Sequence, residues 1–261
     1  MPGIFKTEAV VLRSIRFGEA DRVLHLYSST RGRVGAIAKG ARRPRSRFGG
    51  RLEPFFRLDL MLHEGRGELA TVTSAATLDG YPRLRESGPA LDAGGRACDA
   101  VLRLFDAAEA NSAVYNLLCR YLALLDGRES VDGNGSGDGA AGLATALAFR
   151  LKLTLAAGFV PELASCARCG EADGLAAFSG AAGGMVCGAC EAGGFELSAE
   201  AHRFMVEALG SPLGTLPPAG DRALRQVERA ISETLEHHAH VRLRAAGVTP
   251  QCPRAPRAPQ H

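Results

Sequence analysis

Two cysteine pairs, Cys166-Ala-Arg-Cys169 and Cys187-Gly-Ala-Cys190, separated by 17 residues, constrain this chain more than any other feature of its sequence. Each C-x2-C turn holds two thiolates one tetrahedral edge apart, so two such turns at this separation suit a Zn²⁺ ion. Four thiolates fill the coordination sphere and leave no position for water. The predicted role of Cys166, Cys169, Cys187 and Cys190 is therefore to hold a zinc ribbon together, with Phe178 and Val186 packed between the knuckles. Two redox dithiols are the competing reading. An odd total of seven cysteines argues against a closed disulfide framework. Cys98 and Cys119 lie on apolar helical faces and read as buried thiols, and Cys252 lies outside the pattern.

At 261 residues, with 46% hydrophobic and 23% charged residues, the chain can bury a core without staples. Its charge is unevenly spread. Residues 1–85 carry 16 Lys and Arg against 8 Asp and Glu, a surplus of eight, while the remainder carries 15 against 20. From Arg22 to Leu52 there are nine cations (Arg22, Arg31, Arg33, Lys39, Arg42, Arg43, Arg45, Arg47 and Arg51) and no acid, the footprint of a polyanion site. Within it, Lys39 to Arg51 is a Gly-rich loop with six cations. Its glycines would let the backbone approach phosphates, its arginines would clamp them, and Phe48 would stack on a base. Six neutralised phosphates on a single strand predict a log–log salt slope of roughly −4, or on the order of 200-fold weaker binding for fourfold more salt. The plainer reading is a solvated, flexible basic loop.

Patterning divides the chain. Val10–Leu12, Val23–Tyr27, Val34–Ala38, the alternating Phe56–Leu62 run and Leu69–Ser74 read as short strands, and five of them within some 80 residues suggest an OB-type barrel. From Pro82 the period becomes helical. Cys98 to Phe105, Val114 to Leu125 and Leu143 to Ala157 predict bundle helices, the last stopped by Gly158. Ser198 is placed to cap a helix over Ala199–Leu209, and Leu224 to His238 marks a final amphipathic helix. The predicted class is α+β and multidomain: an OB-type β-barrel over 1–80, an α-helical bundle over 81–163 and 195–247, and an inserted four-cysteine zinc ribbon over 164–194. A mobile Gly-rich connection at 127–142 and a disordered Pro-rich tail at 248–261 are also expected.

Other matches fail on context. Gly137-Asp-Gly-Ala-Ala-Gly142 has G-x-G-x-x-G spacing but follows polar linker in place of a buried strand. His237, His238 and His240 read as the terminus of a helix whose dipole favours positive charge. There is no Walker loop, zincin helix, G-x-S-x-G elbow or K-x-D-G motif, so an ATP-driven or covalent enzyme is not expected. No apolar run reaches membrane-spanning length, and Lys6 and Glu8 interrupt the first apolar segment, so a cytoplasmic location is expected.

Several stretches resemble one family: Glu8-Ala-Val-Val-Leu-Arg, Phe17-Gly-Glu-Ala-Asp-Arg-Val-Leu, Ala38-Lys-Gly-Ala-Arg-Arg-Pro44, Tyr81-Pro-Arg-Leu84, and Gly158-Phe-Val-Pro-Glu-Leu ahead of the first knuckle. Over residues 3 to 246 the chain is similar to the RecO family of bacterial recombination mediators. The resemblance implies a non-enzymatic role in homologous-recombination repair. It implies binding of single- and double-stranded DNA, annealing of complementary strands, contact with the single-stranded DNA-binding protein SSB, action with RecR and assistance to RecA loading. It also implies that the Lys39–Arg47 loop meets DNA and that the four cysteines hold zinc. The Gly-rich connection and the ending after Gly247 depart from the family. An OB-fold RNA-binding protein and a zinc-dependent nucleic-acid enzyme are the alternatives.

Overall fold

One strand serves two neighbours in the N-terminal barrel. β1 (Ile4–Phe17) pairs along its first half with β4 (Arg57–His63) and along its second half with β2 (Asp21–Ser28). A bulge between Val11 and Arg13 bends it from one partner to the other. β2 continues into β3 (Gly32–Ala38). β5 (Ala70–Asp79) pairs antiparallel with β4 and, through Ala36–Ala70 and Ile37–Thr71, parallel with β3. The closed order β1-β2-β3-β5-β4 is that of an OB barrel, as the strand spacing predicts. Period 2 fills its interior: Ala9, Val11, Leu24, Leu26, Leu58, Leu60, Leu62 and Val72 form one buried cluster. These observations come from a computed structural model, which describes residues 3–65, 67–106, 109–128 and 142–247. The expected tail and most of the expected 127–142 connection lie outside the described residues.

The helices follow as α1 (Pro82–Glu86), α2 (Gly88–Leu104), α3 (Ser112–Leu125), α4 (Leu143–Ala156), α5 (Ala199–Gly210) and α6 (Asp221–Thr234). α4 is the central one: residues Thr145 to Leu151 are all buried, so the middle of the helix is enclosed on every side, and it packs against α2, α3, α5 and α6. Ser198 caps α5 by accepting from the Ala201 N–H, and Gly158, just beyond α4, is left-handed at φ +86°, both as the sequence predicts. The final helix differs from expectation. It stays α-helical only to Thr234 and widens into a π turn over Leu235–Ala239, after which His240 is left-handed. From that turn His238 meets the Gly180 carbonyl at 2.8 Å. No helix among the described residues is long and apolar enough to cross a membrane.

Barrel and bundle share a core. Val10, Leu12 and Tyr27, on the outer wall of the barrel, belong to the bundle's cluster. At Gly94 a Cβ would approach the Phe55 ring to 3.2 Å. A polar clamp spans the same junction. Arg57 donates to Glu8 Oε2 at 2.7 Å and to the Tyr115 hydroxyl at 3.1 Å, and that hydroxyl lies 3.2 Å from Glu8 Oε2. Hydrogen bonding to Arg57 holds the Glu8 carboxyl below its ordinary range.

Between α4 and α5 lies a small antiparallel sheet of β6 (Leu175–Ser179), β7 (Gly184–Cys187) and β8 (Phe195–Glu196), in the order β7-β6-β8. Its two faces do different things. Ala177 pairs with Val186 and faces the cysteines; Phe178 pairs with Met185 and faces the helices. Val186 therefore packs at the knuckles as expected, but Phe178 does not, because one residue of offset on a strand reverses the face. Phe178 instead meets Phe195 with ring centroids 5.9 Å apart and joins the bundle core. The docking is close: a Cβ at Gly184 would stand 2.3 Å from the Glu162 carbonyl oxygen.

Candidate nucleic-acid interface and metal centre

The segment joining β3 to β4 is a succession of turns, not a floating loop. Main-chain bonds run from Arg43 N to Gly40 O at 3.1 Å, Ser46 N to Arg43 O at 2.9 Å and Arg51 N to Phe48 O at 3.4 Å. Its first part is tied to the β1–β2 hairpin: Gly40 N donates to Asp21 Oδ1 at 2.7 Å, Arg42 N to Ala20 O at 2.8 Å and Arg42 Nη1 to Gly18 O at 3.2 Å. Ala41, Phe48 and Leu52 point inward and join the barrel cluster. Phe48 is 1% exposed, which corrects the expectation that it stacks on a base: the barrel interior is the apolar environment its ring takes. With these three as anchors, Lys39, Arg42, Arg43, Arg45 and Arg47 are left exposed on one short, ordered segment.

The nine cations divide. Lys39, Arg43 and Arg45 have no side-chain partner among the described residues. Arg42 bonds a carbonyl only, and Arg47 reaches the Val72 carbonyl at 3.4 Å with its guanidinium 4.9 Å from the Phe48 ring centre. Among the described residues none of these five meets a carboxylate, and all five are exposed. Arg22 is committed to Glu53 at 2.6 Å and Ser14 at 2.9 Å, and Arg31 to Glu64 at 2.5 Å while lying over the Phe5 ring. Arg33 reaches the Leu102 carbonyl on α2 at 3.4 Å, and Arg51 the Ala75 carbonyl at 3.1 Å. Those four brace the barrel and its junction. Their carboxylate and carbonyl partners lie far along the chain, Glu53 being 31 residues from Arg22, so no local pattern announces them.

A second basic cleft, which sequence reasoning missed, lies between barrel and bundle, where Arg13, His25, Arg33, Leu102 and Arg103 line about 200 Å³ around Asp99. Asp99 accepts from Arg103 at 2.8 Å and Arg13 at 3.4 Å. Burial and the Coulombic pressure of Arg33 and Arg13 depress the His25 pKa.

The four cysteines converge. The Sγ atoms of Cys166, Cys169, Cys187 and Cys190 all lie within 4.8 Å of one another, with Cys169 and Cys187 at 3.7 Å. A tetrahedron with metal–sulfur bonds of about 2.3 Å has edges of about 3.8 Å, so the cluster can hold a metal ion such as zinc. The first knuckle turns through Gly170 at φ +79°, with Gly170 N bonded to Cys166 O at 2.8 Å. Backbone N–H groups of Cys187, Cys169 and Arg168 draw the Cys166 thiol down to about 6, while the neighbouring thiols push Cys190 up to about 12. Among the described residues this is the only group of His, Cys, Asp or Glu close enough to hold a metal, and the terminal histidines are not part of one. Cys98 is buried as expected, its thiol pushed up to about 12, and the partly buried Cys119 to about 11.

Comparison with known proteins decides the family. The model for the Recombination protein O N-terminal region matches residues 1–81, and that for the Recombination protein O C-terminal region matches residues 85–246. The chain belongs to the RecO family. A DNA repair protein RecO from Rubrobacter xylanophilus is 36% identical over 255 residues, covering 95% of this chain and 96% of the relative. One from Anaeromyxobacter dehalogenans strain 2CP-C is 33% identical over 92% of this chain and 93% of the relative. Another from a Nocardioides species is 34% identical over 90% and 94%. The match to the RecO family runs through the barrel, the cysteine-bearing insert and the helices on both sides of it.

Proposed function

We propose that this chain is a recombination mediator that binds single- and double-stranded DNA, anneals SSB-coated strands and assists RecA loading together with RecR. The observation that carries the reading is the row Lys39, Arg42, Arg43, Arg45 and Arg47, left without acidic partners on an ordered loop of an OB barrel. Phosphates of one strand repel those of another. A surface that neutralises both lowers that barrier by counterion release, and needs neither nucleotide hydrolysis nor a catalytic residue. Being tied to the β1–β2 hairpin, the loop presents its cations in one arrangement and does not have to be ordered on binding.

The four cysteines are proposed to bind one Zn²⁺ whose role is structural: it would fix Cys166–Cys190 as a unit against α6, and the chain's own contribution is the docking of Phe178 and Phe195 into the bundle. The rival readings are an RNA-binding protein and a zinc-dependent nucleic-acid enzyme. Competition separates them: an unlabelled DNA strand should displace a labelled single-stranded oligonucleotide at least as well as RNA of the same sequence, with the oligonucleotide recovered intact in Mg²⁺. RNA displacing it tenfold better, or cleavage of the oligonucleotide, would overturn the mediator reading.

A further inference from the structure

On that reading, with Phe48 buried, the group that meets the bases has still to be assigned. The aromatic side chains narrow the choice. The chain has eleven Phe, four Tyr and no Trp. Among these fifteen rings only Phe17 is exposed; the remainder are buried or half-buried. Phe17 is 56% exposed, the last residue of β1, and no aromatic ring or guanidinium stacks on it among the described residues. An aromatic ring this open is free to take a partner on its face.

The surroundings of Phe17 indicate the chemistry of that partner. It begins the β1–β2 turn, the loop that OB barrels present at their nucleic-acid face. Gly18, its neighbour, is left-handed at φ +52°, and a Cβ there would meet nothing within 4 Å, so the turn stands open. The Gly18 carbonyl receives the guanidinium of Arg42, and the Ala20 carbonyl receives the Arg42 N–H. The basic loop and the exposed ring thus meet at one hairpin, with the exposed Arg42 guanidinium held against the carbonyl one residue from the ring. Ile15, two residues back on the same face of β1 and 42% exposed, extends the apolar strip. A cation beside an open aromatic face matches a nucleotide unit, whose phosphate and base need these two contacts together.

We propose that Phe17 is the base-stacking residue of this barrel, taking an unpaired nucleobase while Arg42 and its neighbours hold the adjoining phosphates. It follows that the site distinguishes single strands from duplex, in which base faces are already stacked, and does so without base preference.

Three strands test this: a single-stranded oligonucleotide, an abasic strand of equal length and a duplex. Phe17→Ala in the full chain should bind the base-bearing strand roughly 5- to 150-fold more weakly, the range that stacking on one base supplies, and leave abasic and duplex affinities within twofold. Its melting temperature should match wild type. Phe17→Trp would introduce the only tryptophan in the chain, and its fluorescence should be quenched by the base-bearing strand and not by the abasic one. Equal losses on all three strands, or an unchanged affinity for the base-bearing strand, overturn the stacking proposal while leaving the basic loop intact. Failure of the wild-type chain to bind any strand overturns the nucleic-acid reading on which it rests.

Discussion

Reversing two charges, Arg42→Glu with Arg43→Glu, measures what the loop contributes. The structure leaves five cations exposed between Lys39 and Arg47. Five phosphates on a single strand correspond to a log–log salt slope of about −3.5, so raising salt fourfold should weaken wild-type binding roughly 130-fold. Losing two contacts brings the slope to about −2, and the same change of salt then costs only about 20-fold. At about 0.1 M salt each lost contact removes about 0.7 decades of affinity, or about 25-fold for the pair, and a carboxylate in each place roughly squares that, to on the order of 500-fold. Among the described residues neither side chain supports the fold beyond the exposed Arg42–Gly18 contact, so the melting temperature should not change. Fluorescence anisotropy with a labelled oligonucleotide from about 50 to 200 mM salt reads both quantities. A variant with wild-type slope and affinity would refute the assignment of the loop as the interface.

Three further outcomes follow from the packing. Replacing Cys166 and Cys187 by Ser should abolish a one-to-one metal content measured by elemental analysis and lower the melting temperature by about 5 °C or more, each kcal/mol being worth about 2–4 °C at this chain length; an unchanged melting curve would mean that no metal supports the ribbon. Phe48→Ala should destabilise the barrel by about 3–5 kcal/mol in urea unfolding because it empties a core site, whereas a loss of DNA affinity at full stability would restore Phe48 as a contact residue. Because Glu8 has a lowered pKa in the fold, its clamp stabilises above the ordinary carboxylate value of 4.5 and is lost as pH falls through the folded value. Glu8→Gln should therefore melt below wild type at neutral pH, and the gap should close under acid; a gap that persists well below the carboxylate range would contradict the Arg57 pairing.

Much of this was legible because it is local. The cysteine spacing needs only four residues per knuckle, and period 2 marks β4 without reference to its neighbours. What escaped depends on contacts distant in sequence. That β1 serves two partners through a bulge follows from pairing with strands on either side, and Phe48 sits in a Gly- and Arg-rich loop without periodicity, so nothing local shows that it turns into the barrel. Arg22 looks like a member of the basic run until Glu53, immediately beyond its end, is found against it. Phe178 missed by a single residue of register, the smallest error a strand permits and one that reverses its face. The π turn before His240 has no sequence signature here; it is seen only with His238 lying against Gly180.

The central claim, that the basic barrel face brings two strands together, is tested most directly by annealing complementary oligonucleotides precoated with cognate SSB, without nucleotide. The account predicts acceleration by wild type that fades steeply between about 50 and 200 mM salt and is absent in the Arg42→Glu, Arg43→Glu variant. Annealing at the uncatalysed rate by a wild-type chain that binds bare DNA would contradict it.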